Sequence, residues 1–117
     1  MRQRNPQNNQ ANTEEAFSRI RLPRRSEGEM FAKTIQLLGG DQLKAFCEDG
    51  KERVIRIPGK MRKSVWIREN DIIIVKLWDF QPSKGDVVWR YQGFQINYLE
   101  KNGHLQKLQA ASNAAGQ

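Results

Sequence analysis

Five short β-runs crowd into the middle of this chain with breakers set between them, and that spacing limits the fold more than any other feature. Met30 to Leu38 is apolar-rich and ends at Gly39-Gly40-Asp41, a turn signal. Leu43, Ala45 and Cys47 then alternate with Lys44, Phe46 and Glu48, which is the period of a strand. Asp49-Gly50 follows, a dipeptide suited to the left-handed angles of a tight hairpin. Arg53 to Ile57 is a short β-branched run. Asp71 to Trp78 contains Ile72-Ile73-Ile74-Val75, which reads as a buried strand. Asp86 to Tyr91, with Val87, Val88, Trp89 and Tyr91, supplies the fifth run.

Helix signals are weaker. Pro58-Gly59 breaks the chain after the third run, and Lys60 to Ser64 has room for one turn. Phe94, Ile96, Tyr98 and Leu99 predict a short helix ended by Asn102-Gly103. Five strands, one interruption and a helical cap predict an all-β fold, a five-stranded closed barrel of the OB type. An SH3-like barrel is the alternative topology, and strand spacing does not exclude it.

The ends differ from the middle. Residues 1–25 are rich in Gln, Asn and Arg, with almost no apolar residue before Phe17. Such a stretch buries too little surface to offset chain entropy, so a disordered basic arm is expected. Residues 26–103 are expected to form the folded domain, and 104–117, ending in QAASNAAGQ, a flexible tail. Cys47 is the only cysteine, which rules out an internal disulfide and fits a reducing, cytoplasmic setting. The longest strongly apolar run is Ile72 to Val75, so neither a signal peptide nor a membrane span is expected. The arm also lacks the amphipathic stripe of a membrane-surface helix.

The charge is segregated. Residues 1–25 carry six arginines (Arg2, Arg4, Arg19, Arg21, Arg24, Arg25) against two glutamates. Lys51 to Arg68 carries seven cations (Lys51, Arg53, Arg56, Lys60, Arg62, Lys63, Arg68) against Glu52 alone. The remainder is net acidic, and the whole chain is +7. In the 51–68 stretch Val54, Ile55, Ile57, Met61, Val65, Trp66 and Ile67 are threaded between the charges. They can pin the segment to a core while its cations face a polyanion, and phosphate is the obvious one. The plain alternative is that these charges only keep a small domain soluble.

Lys60, Arg62, Lys63 and Arg68 bracket a breaker and are expected to project as RNA contacts, with arginine suited to bidentate phosphate binding. Arg53 and Arg56 have opposite parity on one strand, so they cannot both face one surface, and one of them can pair with Glu48 or Glu52. Lys51 and Lys84 join the candidate set. In OB barrels strands two and three, with the loops joining strands one–two and four–five, bind oligonucleotides. Here the last of these is Asp79 to Gly85, a long loop bearing Phe80, which suits either base stacking or packing against Pro82. Trp66, between Val65 and Ile67, is a core plug or a stacking platform, with the core favoured. Trp78 and Trp89 are expected in the core, and Tyr91 at the barrel edge. Glu27, Glu29, Glu48, Asp49, Asp79 and Asp86 fall mostly at turns and strand ends, where carboxylates solvate or cap. His104 has no second ligand type nearby, so no metal is expected. No phosphate loop, nucleophile elbow or paired His/Cys arrangement is present, so neither an enzyme nor a cofactor is expected.

Gly59-Lys60-Met61-Arg62-Lys63-Ser64-Val65-Trp66-Ile67 resembles translation initiation factor 1A of archaea and eukaryotes. Asp49-Gly50, Asp71-Ile72-Ile73 and Asp79-Phe80-Gln81 fall in matching order and spacing, so the resemblance spans roughly Gly28 to Tyr91. It implies a single OB domain, a monomer, in the A site of the small ribosomal subunit. It also implies contacts with ribosomal RNA, initiator tRNA, mRNA and other initiation factors, and a role in recruiting the tRNA and defining the start codon. Asn70 stands where the family often has Gly, a change a turn accepts because Asn tolerates left-handed angles. The acidic tail of eukaryotic members has no counterpart in Ala110 to Gln117, which resembles the archaeal branch. Three rival functions fit parts of the pattern. They are a generic single-stranded RNA binder or chaperone of the same fold, a module for an acidic protein partner, and a nuclease, which needs clustered acids and a metal.

Overall fold

The computed structural model describes residues 20–64 and 66–115, with only the backbone of 62–64 and 112–115. Arg2, Arg4, Arg19 and Val65 therefore lie outside the described residues, as do the side chains of Arg62 and Lys63. Five strands form the body: β1 (Glu29–Gly39), β2 (Gln42–Cys47), β3 (Glu52–Arg56), β4 (Ile72–Trp78) and β5 (Gln81–Arg90). A short helix α1 (Gly59–Ser64) joins β3 to β4, and α2 (Gly93–Lys101) and α3 (Gln106–Ala115) follow β5. The strands close in the order β1-β2-β3-β5-β4, with β1 also paired to β4. β3 and β5 are parallel and every other pair is antiparallel. This closed five-stranded barrel, with its helix between the third and fourth strands, is the OB arrangement.

The Ile72-Ile73-Ile74-Val75 run explains the layering. Successive strand residues point to opposite faces. Ile73 and Val75 fill the barrel interior with Leu43, Ala45, Cys47 and Ile55. Ile72 and Ile74 face outward into a second core with Phe31, Phe46, Tyr91 and Leu99. β4 is thus buried on both sides, so it reads as continuous rather than alternating apolar sequence. Full burial of each such side chain stabilises by about 1.5–3 kcal/mol.

The second core corrects both expected boundaries. Residues 104–117 hold α3 rather than only a flexible tail, because Leu105 and Leu108 are buried in that core. Three residues apart, they lie on one side of the turn, and the alanine-rich remainder favours helix. At the other end, Ile20 is buried in the same core, six residues before the expected domain start. The Tyr91 hydroxyl donates to the Arg21 carbonyl, so this tyrosine is a central packing residue rather than an edge one.

The β4–β5 connection is also shorter than expected. β5 starts at Gln81, so the turn is only Asp79-Phe80. Pairing jumps from Trp78–Gln81 to Leu77–Gly85, and Pro82 sits in that irregular stretch, where the β4 ladder needs no N–H from it. Gly85 restores the ladder by close approach: a Cβ there would lie 2.5 Å from the Lys76 carbonyl oxygen. Asn70 adopts φ +73°, the left-handed angle expected of it, and its N–H reaches the Thr34 carbonyl at 2.7 Å. Among the described residues no helix is long and apolar enough to cross a membrane.

Candidate nucleic-acid interface

The basic segment leaves β3 at Arg56 and turns at Pro58 into α1. Ile67 then plugs the barrel interior. Anchoring that residue turns its neighbours outward, so Trp66 is 80% exposed and Arg68 is exposed. The expectation of Trp66 as a core plug is therefore wrong. Its apolar neighbour signalled an anchor beside it, not its own burial.

Trp66 and Arg68 form one wall of a groove of about 1060 Å³. Lys60 and Met61 of α1 add to that side, while Trp89 and Arg90 of β5 form the facing wall. Trp89 is 36% exposed, which corrects its expected core position. A bulge between Val87 and Trp89 resets the strand's alternation, so a period of two misassigns this end of β5. Asp71 ties the two sides together. Its Oδ2 accepts the Arg68 backbone N–H at 2.8 Å and the Arg90 Nε–H at 3.0 Å. Two tryptophans flanked by Lys60, Arg68 and Arg90 make a groove with both π-faces and positive charge, the pairing that holds single-stranded nucleic acid. Arg90, Trp89 and Asp71 were not singled out from the sequence as site residues.

The remaining candidates divide. Arg53 is 8% exposed and turned inward. Its guanidinium donates to both Asp49 oxygens, at 2.9 and 2.8 Å, and to the Pro82 carbonyl at 2.8 Å. It is a structural clamp between the β2–β3 turn and β5, not a surface cation. Its partner is Asp49 rather than the expected Glu48 or Glu52. The Arg53 hydrogen bonds hold the Asp49 carboxyl below its ordinary value. Burial pushes the neighbouring Cys47 thiol up, which keeps it protonated.

Arg56 faces outward, as opposite parity requires, and is ion-paired with Asp86 at 2.9 Å. Phe80 is 84% exposed at the β4–β5 turn and stacks on the half-buried Trp78. Lys84 is half-buried beside Val54 of β3, with Lys44 of β2 on the other side. Lys51 is exposed at the β2–β3 turn.

The three described arm arginines are rooted on the barrel. Arg21 pairs with buried Glu29 at 3.0 Å. The Arg24 backbone N–H donates to the same carboxylate at 3.0 Å, leaving the Arg24 side chain exposed. Arg25 pairs with buried Glu48 and lies over the Phe31 ring at 5.9 Å. Glu29 and Glu48 are therefore anchors for the arm's root rather than solvated strand-end acids. Burial by itself would raise the Glu29 carboxyl, but the Arg24 N–H and the Arg21 guanidinium outweigh it and hold it below its ordinary value. Among the described residues no group of three His, Cys, Asp or Glu side chains could hold a metal ion.

The family match and the similar sequences point to one family. The family described as "Translation initiation factor 1A / IF-1" matches residues 18–113. The chain belongs to the translation initiation factor 1A family. Translation initiation factor 1A of Archaeoglobus fulgidus is 50% identical over 80% of this chain and 96% of that protein. The Methanopyrus kandleri protein of the same name is 51% identical over 79% of this chain and 81% of its own. The family match begins at residue 18 and ends at 113, so it takes in the arm's root and most of α3, which the Gly28 to Tyr91 resemblance left out. The solution structure of translation initiation factor 1 from the Wolbachia endosymbiont of Brugia malayi aligns with 56% of this chain and 78% of its own at 24% identity, with a TM-score of 0.44.

Proposed function

We propose that this initiation factor 1A family member is a cytoplasmic, monomeric translation initiation factor that occupies the A site of the small ribosomal subunit. It binds ribosomal RNA there and promotes recruitment of initiator tRNA and selection of the start codon. The observation that carries this is the groove between α1 and β5, with Trp66 and Trp89 among Lys60, Arg68 and Arg90. Its cations take phosphates and its rings take unpaired bases, and neither step needs a bond to form or break. Arg62 and Lys63 continue the basic run on α1. The arm's arginines Arg2, Arg4 and Arg19 precede the root fixed by Arg21 and Arg25, and they extend the positive field towards mRNA or tRNA.

The test is co-sedimentation with purified small subunits in the presence of excess unstructured RNA. The proposal expects the factor to stay on the subunit. Displacement by the excess unstructured RNA would show a general single-stranded RNA binder instead.

A further inference from the structure

The second half of β1 has a strand partner on one side only. β1 pairs with β2 as far as Gly39, but with β4 only from Glu29 to Lys33. Thr34 closes the β4 side, its N–H donating to the Asp71 carbonyl at 2.8 Å and its carbonyl accepting the Asn70 N–H at 2.7 Å. The chain turns at Glu69-Asn70, so among the described residues no strand continues the ladder beside Ile35 to Leu38. An edge of this kind presents unpaired N–H and C=O groups to whatever strand comes alongside.

The side chains on that edge are apolar. Pairing steps from Thr34–Ala45 to Gln36–Lys44 and from Leu37–Leu43 to Gly39–Gln42, so β1 carries one extra residue at each of two bulges. Those extra residues are Ile35 and Leu38, 37% and 40% exposed, and Leu37 between them is 45% exposed. A bulge accepts a polar residue equally well, and lysine or proline ordinarily guards an open edge. The stretch from Ile35 to Gln42 holds neither, and its one charged residue is Asp41. Neither the fold nor solubility accounts for aliphatic side chains placed in water here.

The charges select the partner. Glu69 stands beside Asn70 where the β4 ladder stops, and Asp41 at the far end of the edge. Lys33 closes the β4 ladder, and Lys44 lies opposite Gln36 on the β2 side. A stretch from Ile35 to Gln42 with no cation of its own gives phosphate little to bind, so the edge does not suit RNA. A protein strand fits it: the main chain completes the ladder while aliphatic side chains cover Ile35, Leu37 and Leu38. The edge also adjoins the groove, because the Ile57 N–H donates to the Asp41 carbonyl at 2.6 Å just before the chain enters α1. A protein met beside rRNA is itself bound to rRNA and therefore basic, and its cations meet Glu69 and Asp41.

We propose that the open edge of β1, from Ile35 to Leu38, docks an extended, basic segment of a small-subunit protein as an added strand. The site rests on the subunit binding proposed above and gives it a protein contact next to its RNA contact.

The experiment compares the full-length protein with an Ile35→Lys, Leu38→Lys double variant on intact small subunits and on naked small-subunit rRNA. Both positions are exposed, so the variant should melt like wild type. Lysine blocks an added strand but attracts phosphate, so a protein occupant and an RNA occupant respond with opposite signs. The variant is expected to bind intact subunits about 10-fold more weakly and naked rRNA at least as well as wild type. Ile35→Thr with Leu38→Thr adds no charge and keeps β-propensity, and should lose about 3-fold on intact subunits only. Amide exchange at Ile35 to Leu38 should slow on intact subunits and not on naked rRNA. If both variants bind intact subunits like wild type, the docking site is overturned. A parallel change on both targets overturns it in favour of RNA as the occupant. A wild-type dimer that the lysines dissociate, read by sedimentation equilibrium, overturns it in favour of a second copy of the chain. A wild-type protein that binds neither target overturns the function proposed above, and the docking site with it.

Discussion

The barrel has apolar side chains on two of its outer faces, and the two are treated in opposite ways. On the β1–β4 face, Phe31, Ile72 and Ile74 are covered by Leu99 and Leu108 of the C-terminal helices, by Leu105 in the turn between them and by Ile20. Elsewhere Trp66 after α1, Phe80 in the β4–β5 turn and Trp89 on β5 stay exposed. Exposed aromatic surface is left bare in a small protein mainly where a partner is to cover it. The first face is therefore the protein's own second core, and the second is the interface proposed above. Each can be perturbed without the other, and the predictions below separate them.

The largest effect belongs to the open face. If about six phosphates are contacted, affinity for small subunits should fall by ~10³-fold between 50 and 200 mM salt. Lys60→Glu with Arg68→Glu should flatten that slope while thermal melting stays near wild type, because exposed substitutions shift stability by only about 0.5 kcal/mol each. A salt-independent Kd would remove electrostatics from the account.

The covered face should respond in the reverse sense. Leu105→Ala removes a buried side chain from the second core and should destabilise the fold by about 2–5 kcal/mol. Binding by the fraction that remains folded should be unchanged. Denaturant unfolding and subunit titration measure the two quantities separately. If Leu105→Ala leaves stability intact, the turn leading into α3 is not part of the core.

Next in size is Trp66→Ala, expected to weaken RNA binding by about 10-fold and to leave stability alone, since the ring is 80% exposed. A destabilised variant would return Trp66 to the packing role that its apolar neighbours suggested.

That reversal shows what was legible in the chain. The barrel was, because its five β-runs and the turns at Asp49-Gly50 and Asn70 are local signals, and the strands fall within a residue or two of their expected starts except at β5. Its length was not, because Pro82 reads as a breaker while the structure places it in an irregular stretch of ladder. The second core was hidden by composition. Leu105 and Leu108 sit in a polar, alanine-rich stretch, and only the apolar outer face of β4 explains why they fold onto it. In the site, the basic segment located the groove, but it supplies one wall. Arg90 and Trp89 come from a strand whose bulge breaks the alternation that would have pointed them out. Arg53 looked like a surface cation by charge alone, and its role depends on Asp49, four residues before it across the turn.

The smallest effect tests the root of the arm, where the covered face meets the N-terminal arginines. The folded protein holds the Glu29 carboxyl below its ordinary value, through the Arg24 N–H and Arg21 against the opposing effect of burial. A carboxyl depressed in the folded state contributes stability that is present above its unfolded value, near pH 4.3, and lost as pH falls through its lower folded value. Acid should therefore loosen residues 20–25 first, starting below about pH 4. The stability lost should be only about 1 kcal/mol, since one partly exposed arginine and one backbone N–H are released. Amide exchange at Leu22 to Ser26, followed from pH 6 to pH 3, measures it after correction for intrinsic rates. Glu29→Gln should show the loosened root already at pH 6. If that variant keeps the protection at pH 6, the anchor is Ile20 and the Tyr91 hydroxyl rather than the Glu29 carboxylate.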